Sequence, residues 1–155
     1  MSILIYAEYA EGKFKKAAFE LASYAKKVAE SLGTTVTAVT INAGDVSELS
    51  KYGVDKVLKV NNDELSGFTA KAYADVIKQA AQKENIKLLL LSSTTDSVYL
   101  SSLVAVALEA GYASNVVGLP VSTSPFQVKR TAFSNKAFMI TEINTAVKVL
   151  GLAKN

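Results

Sequence analysis

The sequence contains no cysteine, no histidine and no tryptophan. Without cysteine it has no disulfide, no thiol nucleophile and no thiolate metal site. Without histidine it lacks the commonest general base near neutral pH and the commonest metal ligand, and a Ser-His-Asp triad is excluded. These absences remove most familiar hydrolytic mechanisms and most transition-metal sites.

Arginine is also scarce, because Arg130 is the only arginine among the 17 basic residues, and the net charge is only +3. Nucleic-acid and phosphate binders favour arginine for its two-pronged hydrogen bonding, so we expect no nucleic-acid partner. No apolar run approaches the roughly 20 residues that a membrane-spanning helix needs. The sequence therefore predicts no membrane insertion.

The 155 residues, half of them hydrophobic and 20% charged, predict one globular domain over residues 1–155. Residues 1–6 form an apolar run with no charged segment before it and no small-residue cleavage site after it. This start is typical of a first strand and not of a signal peptide. We therefore expect a cytoplasmic protein.

Short apolar or β-branched runs alternate with helical spacing through the first two-thirds of the chain. The predicted strands are residues 3–8, 36–41, 56–60 and 87–91. The first predicted helix is long and ends at Gly33, and the second is short, covers residues 47–52 and ends at Gly53. The third covers residues 69–83, and the fourth runs from the loop at 92–97 to near Gly111. Strands joined by single helical crossovers predict a parallel sheet with helices on both faces.

Helical spacing is absent after Gly111. A strand over 115–121 and a pair of strands over 126–133 and 136–143 are predicted, with a tight hairpin at Ser134 and Asn135, since asparagine tolerates positive φ. Residues 147–152 are a candidate for one more strand. The predicted fold is α/β: three layers, a mostly parallel Rossmann-like sheet, and a C-terminal antiparallel hairpin region.

The loop after the first strand carries Glu8 and Glu11 instead of the glycines and hydroxyls of a phosphate-binding turn. Carboxylates repel phosphate and suit the positive end of a helix, so we expect these two acids to cap the first helix. The glycines never fall into the spacing of a dinucleotide fingerprint or a P-loop.

The loop at residues 92–97 follows a strand of four leucines and is rich in hydroxyls. Its side chains can cap the next helix, the more common role, or hold a phosphate at the helix N-terminus. The ligand-binding alternative uses Ser93, Thr94 and Thr95. Asp96 weighs against an anion, and the sequence identifies no partner acid or base for it.

Segments along the whole chain resemble one known family. They are residues 3–8 followed by Gly12-Lys13, residues 51–58, the leucine strand leading into Ser93-Thr94, Val104-Ala105 with Leu108, residues 114–117, Arg130-Thr131, and Lys136-Ala137. In this order and spacing they resemble the N-terminal domain of the electron transfer flavoprotein α subunit. The resemblance implies the adenine nucleotide α-hydrolase-like version of the fold.

The resemblance also implies a division of labour. In that family the FAD is held mainly by a C-terminal domain, which this chain lacks, so no FAD contact and no catalytic residue is expected on residues 1–155. The N-terminal domain is a scaffold that packs against the β subunit. The complete complex carries electrons from dehydrogenases of the acyl-CoA type to a quinone oxidoreductase.

The chain departs from the family pattern after its fourth strand. Where the family shows a glycine, a basic residue and an acid or amide, this chain has Ser97, Val98 and Tyr99. Further along, Ser102 and Leu103 replace a Pro-Arg pair, and Ala107 replaces a basic residue. Near the hairpin, Asn135 stands where glycine is usual. The lost charges put in doubt polar contacts from this helix to a partner. An apolar surface there would instead favour a drier interface.

Two other functions remain open from the sequence. One is a stand-alone adenine-nucleotide-binding module that uses the loop from Ser92 to Ser97. The other is a small enzyme that uses Glu8 or Asp96, although no base, metal cluster or nucleophile accompanies these carboxylates.

Overall fold

The structure, a computed structural model, describes residues 2–154. The strands are β1 (Ser2–Tyr6), β2 (Tyr9–Ala10), β3 (Lys13–Phe14), β4 (Thr35–Ile41), β5 (Lys56–Val60), β6 (Leu88–Leu91), β7 (Gly111–Thr123), β8 (Phe126–Ala132), β9 (Ala137–Glu142) and β10 (Lys148–Leu152); the helices are α1 (Lys16–Leu32), α2 (Ala70–Lys83) and α3 (Thr95–Ala107). Two short 3₁₀ helices cover Ser47–Tyr52 and Asp63–Leu65.

Eight strands form one sheet in the order β5-β4-β1-β6-β10-β7-β8-β9. The six strands from β5 to β7 run parallel, and β8 and β9 extend the sheet in antiparallel fashion. All four leucines of β6 are buried, as expected for a parallel strand that is covered on both faces. The predicted fold class, a mostly parallel sheet with an antiparallel C-terminal region, is confirmed.

Two hydrophobic cores lie on opposite faces of this sheet. Helix α1 packs on one face, where Leu21 and Val28 meet Ile3 and Ile5 of β1. Helices α2 and α3 pack on the other face, and their buried side chains contact the alternate residues of the same strands, such as Leu4. The alternation of side chains along each strand thus fills both cores, and the three-layer arrangement is confirmed.

Two glycines end helices in the way the sequence predicts. Gly33 follows α1 with φ 68°, and Gly53 follows the 3₁₀ helix Ser47–Tyr52 with φ 96°. Both lie in the left-handed region, which glycine enters without the steric cost that a Cβ imposes. The N–H groups of these residues bond back to the last helical turn, which closes each helix.

The hairpin between β8 and β9 is longer than predicted. The strands end at Ala132 and begin again at Ala137, so residues 133–136 form the turn, and φ is positive at Phe133, Ser134 and Asn135. Asn135, at 66°, adopts the positive φ for which the sequence suggested it. The prediction of a tight two-residue turn is wrong, because the turn contains four residues, three of them in the left-handed region.

The last strand lies inside the sheet. Strand β10 pairs in parallel with β6 on one side and with β7 on the other. Val149 and Leu150 are therefore fully buried. The candidate strand at residues 147–152 is confirmed, and it joins the antiparallel region to the parallel one.

Candidate functional site

Glu8 lies at the carboxyl end of β1, next to the carboxyl end of β6, because these two strands are parallel neighbours. Its side chain is only 6% exposed. Parallel sheets of this kind present their ligand-binding loops at the carboxyl ends of their strands. The loop after β6, which contains Ser92 and Thr94, therefore reaches Glu8.

One oxygen of the Glu8 carboxylate accepts three hydroxyl hydrogen bonds. Ser92 Oγ and Thr94 Oγ1 each lie 2.7 Å from Glu8 Oε1, and Ser97 Oγ lies 2.8 Å from the same atom. The other oxygen, Oε2, accepts a hydrogen bond from Lys15 Nζ at 3.2 Å. We call Glu8, Lys15, Ser92, Thr94 and Ser97 the Glu8 cluster.

The Glu8 cluster holds its carboxylate in the ionised form. Burial raises the pKa of Glu8, but the hydrogen bonds from Thr94, Ser92 and Ser97 and the charge of Lys15 lower it by more, so the pKa lies below its ordinary value of 4.5. A buried charge is tolerated here because it is both paired and hydrogen-bonded. Glu8 is thus a fixed anion that the protein itself supplies.

The expected capping role of Glu8 and Glu11 is wrong. The N-cap of α1 is Lys15, which makes no side-chain capping bond, and the first turn of the helix contains no acid. Glu11 lies at the exposed turn between β2 and β3, with φ 54°. This two-stranded hairpin separates the acids from the start of α1, and Glu8 turns inward instead.

The hydroxyl-rich loop does cap the following helix, as predicted. Thr94 is the N-cap of α3, and its Oγ1 accepts a hydrogen bond from the Ser97 N–H at 3.2 Å. The same hydroxyl donates to Glu8, so it uses both of its hydrogen-bonding roles. The loop therefore begins α3, and its hydrogen bonds to Glu8 hold the carboxyl end of β6 beside that of β1.

A cleft of about 770 Å³ opens beside the Glu8 cluster, along the carboxyl ends of the strands. Its lining includes charges of both signs: the basic residues are Lys15, Lys16 and Lys154, and the acidic residues are Glu20 and Asp96. Ser93, Thr94 and Thr95, the candidate ligand residues, also line it. The Thr94 hydroxyl is committed to Glu8, so an incoming phosphate would meet an ionised carboxylate behind this loop.

The two carboxylates considered for catalysis lie in different surroundings. Glu8 Oε1 already accepts three hydroxyl donors, which makes it a weak proton acceptor. Asp96 lies in the first turn of α3 and lines the cleft. Within residues 2–154, no group of three or more acidic side chains is arranged to hold a metal ion.

Apart from Asn135, which lies in the turn between β8 and β9, the positions that depart from the family pattern fall on α3. Ser97 is fully buried and supplies a hydroxyl to Glu8, whereas Val98 and Tyr99 are 50% and 65% exposed. Leu103 and Val106 on the same helix are 43% and 79% exposed. Helix α3 therefore presents apolar side chains to the sheet and to solvent, which is typical of a helix that is covered by a partner.

Comparison with known proteins assigns the family. The family model described as electron transfer flavoprotein domain matches residues 3–155. This chain belongs to the electron transfer flavoprotein family. The resemblance found in the sequence is thereby confirmed over almost the whole chain.

Relatives in this family are α subunits and related electron transfer subunits. The electron transfer flavoprotein subunit alpha of Clostridium acetobutylicum is 30% identical over 122 residues, which are 77% of this chain and 36% of the relative. Protein FixB of Clostridium saccharobutylicum is 29% identical over 121 residues, with the same coverage. The lactate dehydrogenase (NAD(+),ferredoxin) subunit LctC of Acetobacterium woodii is 27% identical over 148 residues, 92% of this chain and 35% of the relative.

The chain spans little more than a third of the length of these relatives. It is an electron transfer flavoprotein domain with a three-layer α/β fold. Between residues 2 and 154, no helix combines the length and the apolar character required to cross a bilayer.

Proposed function

We propose that this chain is the N-terminal scaffold and subunit-interaction domain of an electron transfer flavoprotein α subunit. The observation that carries the proposal is the family match over residues 3–155, together with α-subunit relatives of which the chain spans little more than a third. In this proposal the domain packs against a β subunit in the cytoplasm. The assembled protein carries electrons from acyl-CoA-type flavin dehydrogenases to a quinone-linked acceptor.

The FAD of such a protein would be held outside residues 1–155. A flavin dinucleotide needs hydrogen-bond donors for its diphosphate, usually backbone N–H groups at a glycine-rich helix start or nearby hydroxyls. The hydroxyls of Ser92, Thr94 and Ser97 donate to Glu8 instead. These three hydroxyls are therefore not free to bind the diphosphate, which supports a flavin-binding domain elsewhere in the protein.

The outer face of α3 supports a protein partner. Val98, Tyr99, Leu103 and Val106 are exposed along this helix. In the family pattern, positions 98 and 103 are basic, position 99 is an acid or amide, and position 107, next to Val106, is basic. The exchange for apolar residues therefore suits an interface with fewer polar contacts. We assign this face to the β subunit.

Mixing the purified chain with an electron transfer flavoprotein β subunit from the same organism tests the proposal. We expect a colourless chain that forms a 1:1 complex, measured by calorimetry and size-exclusion chromatography. Tyr99→Lys should weaken the complex at least about tenfold, because a lysine at a buried apolar contact must be desolvated. Leu32→Lys is the control, since Leu32 is an exposed apolar residue on α1, in the opposite layer.

Two results would contradict this assignment. A tightly bound, reducible flavin on the chain alone would place the cofactor within residues 1–155. Failure to bind any β subunit, with a chain that is folded by circular dichroism, would remove the scaffold role.

The cleft favours a second candidate, an adenine-nucleotide-binding module. It lies at the edge of the sheet where such folds bind ligands, and it has a volume suited to a small molecule. In this alternative, Ser93 and Thr95 with Lys15 or Lys16 would contact a phosphate. Calorimetry with ATP and AMP decides the matter, and the absence of heat at millimolar nucleotide would end this idea.

A further inference from the structure

The two edges of the sheet differ in chemistry. At one edge, β5 carries Lys56 and Lys59, whose ammonium groups bond to Glu84 and to the Gly44 carbonyl. Charged residues on an edge strand are a common protection against pairing with another chain. At the other edge, β9 presents Phe138, Met139 and Ile140, which are 62%, 46% and 54% exposed.

The backbone of β9 is able to accept another strand. The Ile143 N–H donates to the Phe126 carbonyl at 3.0 Å, which extends the antiparallel ladder between β8 and β9. Hydrogen-bonded pairs alternate along such a ladder, so Met139 directs its N–H and C=O toward β8. Phe138 and Ile140 then direct theirs to the open edge, where the sheet formed by residues 2–154 has no further strand.

The sequence of β9 complements itself about Met139. When the strand is laid antiparallel to a copy of itself with Met139 at the centre, Phe138 lies opposite Ile140 and Ala137 lies opposite Thr141. The turn residue Lys136 then lies opposite Glu142, and both are exposed. Opposite charges and matched apolar residues that face each other across strands stabilise a pair.

The backbone register agrees with this arrangement. With the symmetry axis at Met139, each Phe138 is opposite an Ile140, and these are the residues whose backbone groups face the open edge. The pair can therefore exchange hydrogen bonds in both directions, and the two methionines occupy the non-hydrogen-bonded position at the centre.

We infer that β9 is a self-association site, through which a second copy of this chain pairs in antiparallel fashion about a two-fold axis at Met139. The two sheets become one continuous sheet across the axis. On one face, Phe138 and Ile140 of both copies form an apolar cluster, and a Lys136–Glu142 ion pair flanks it at each end. This association needs neither flavin nor a partner subunit, so it goes beyond the proposed function.

The contact is small. A single edge strand buries less than the roughly 800 Å² per partner of a standard interface, so we expect a dissociation constant on the order of 10⁻⁵ M. Sedimentation equilibrium of the chain from about 1 μM to about 500 μM should show a shift from the 16.5 kDa monomer to a dimer. A chain that stays monomeric over this range overturns the proposal.

Charge reversal tests the register. Lys136→Glu alone places two acids opposite each other at both ends of the dimer, and Glu142→Lys alone places two lysines there. Each variant should dimerise at least about tenfold more weakly than the original chain. An equimolar mixture of the two should regain the original affinity, because each variant then faces its complement. Single variants that dimerise normally, or a mixture that stays monomeric, would overturn the assigned register.

Further variants separate this site from other surfaces. Ile140→Lys should abolish dimerisation, whereas Val106→Lys, at a 79% exposed position on α3, should leave it unchanged. Circular dichroism and urea unfolding check that every variant is folded. If Ile140→Lys blocks binding of a β subunit while the original chain is monomeric at all concentrations, the edge serves that subunit and self-association is refuted.

Discussion

The carboxylate of Glu8 lies 2.7 Å from the hydroxyl of Ser92, a residue 84 positions further along the chain. This contact ties the carboxyl ends of two adjacent parallel strands together. With Thr94 and Ser97, it uses the hydroxyls that would otherwise be free to bind an anion. These hydroxyls lie at the carboxyl ends of the strands, where such folds bind ligands, but here they bind the Glu8 side chain of the protein itself.

Replacing Glu8 with glutamine should reduce both stability and its dependence on acid pH. The pKa of Glu8 is lowered in the folded protein, so the carboxylate contributes stability above its ordinary pKa of 4.5, and that contribution is lost as pH falls through the folded pKa. We expect Glu8→Gln to cost about 1–3 kcal/mol near neutral pH, because charge-assisted hydrogen bonds are weakened. Urea unfolding between about pH 7 and about pH 3 measures both effects.

Glu11→Gln is the matched control for this experiment. Glu11 is an exposed acid three residues further along, at the turn between β2 and β3. Its replacement should leave the pH profile close to that of the original chain. If Glu8→Gln retains the same acid dependence as Glu11→Gln, the Glu8 cluster does not control stability in this range.

The sequence predicts the strands and helices well because their apolar spacing is local. It does not predict that β10 lies between β6 and β7. Val149 and Leu150 indicate a buried strand, but apolar side chains do not specify which strands lie beside it. That choice depends on contacts between distant parts of the chain.

The Glu8 cluster was missed for a related reason. An acid after a strand is usually exposed or near a helix start, and the hydroxyls of residues 92–97 have an ordinary role as caps. Only the adjacency of β1 and β6 makes these groups partners. A usable signal was present, since a carboxylate and a hydroxyl-rich loop both follow fully apolar strands, and such strands tend to lie together at the centre of a parallel sheet.

Thr40→Val should stabilise the protein. Thr40 is fully buried in β4, and its hydroxyl has no hydrogen-bond partner within residues 2–154. Valine has nearly the same shape and removes the unsatisfied polar atom, so we expect a gain of about 1 kcal/mol in the free energy of unfolding. Thr37→Val on the same strand is the control, because the Thr37 hydroxyl lies 2.9 Å from Ser2 Oγ and its loss should not stabilise. Equal gains for both variants would contradict this explanation.

Gly53→Ala should destabilise the protein by about 2 kcal/mol. Gly53 has φ 96°, and a Cβ there would lie 2.6 Å from Lys26 Cγ. Lys26 Cβ would lie 2.7 Å away and is held by its own backbone, so a steric clash adds to the left-handed backbone strain. Gly67→Ala is a suitable control, because no atom lies within 4 Å of the Cβ that it would add. Thermal unfolding of the two variants should differ clearly, and a similar midpoint for both would refute the argument.

Arg130 should be required for the junction of β7 and β8. Its Nε donates to the Ser114 carbonyl at 2.7 Å, and its Nη2 lies 3.0 Å from Ser114 Oγ. Arg130→Lys replaces a planar, two-pronged donor with a single ammonium, so we expect a loss of about 1–2 kcal/mol in the free energy of unfolding. A double-mutant cycle with Ser114→Ala separates the two bonds. Ser114→Ala should lower the free energy of unfolding less in the Arg130→Lys background than in the original chain, because the bond to Ser114 Oγ has already been weakened. Strictly additive losses of stability would show that this bond contributes nothing.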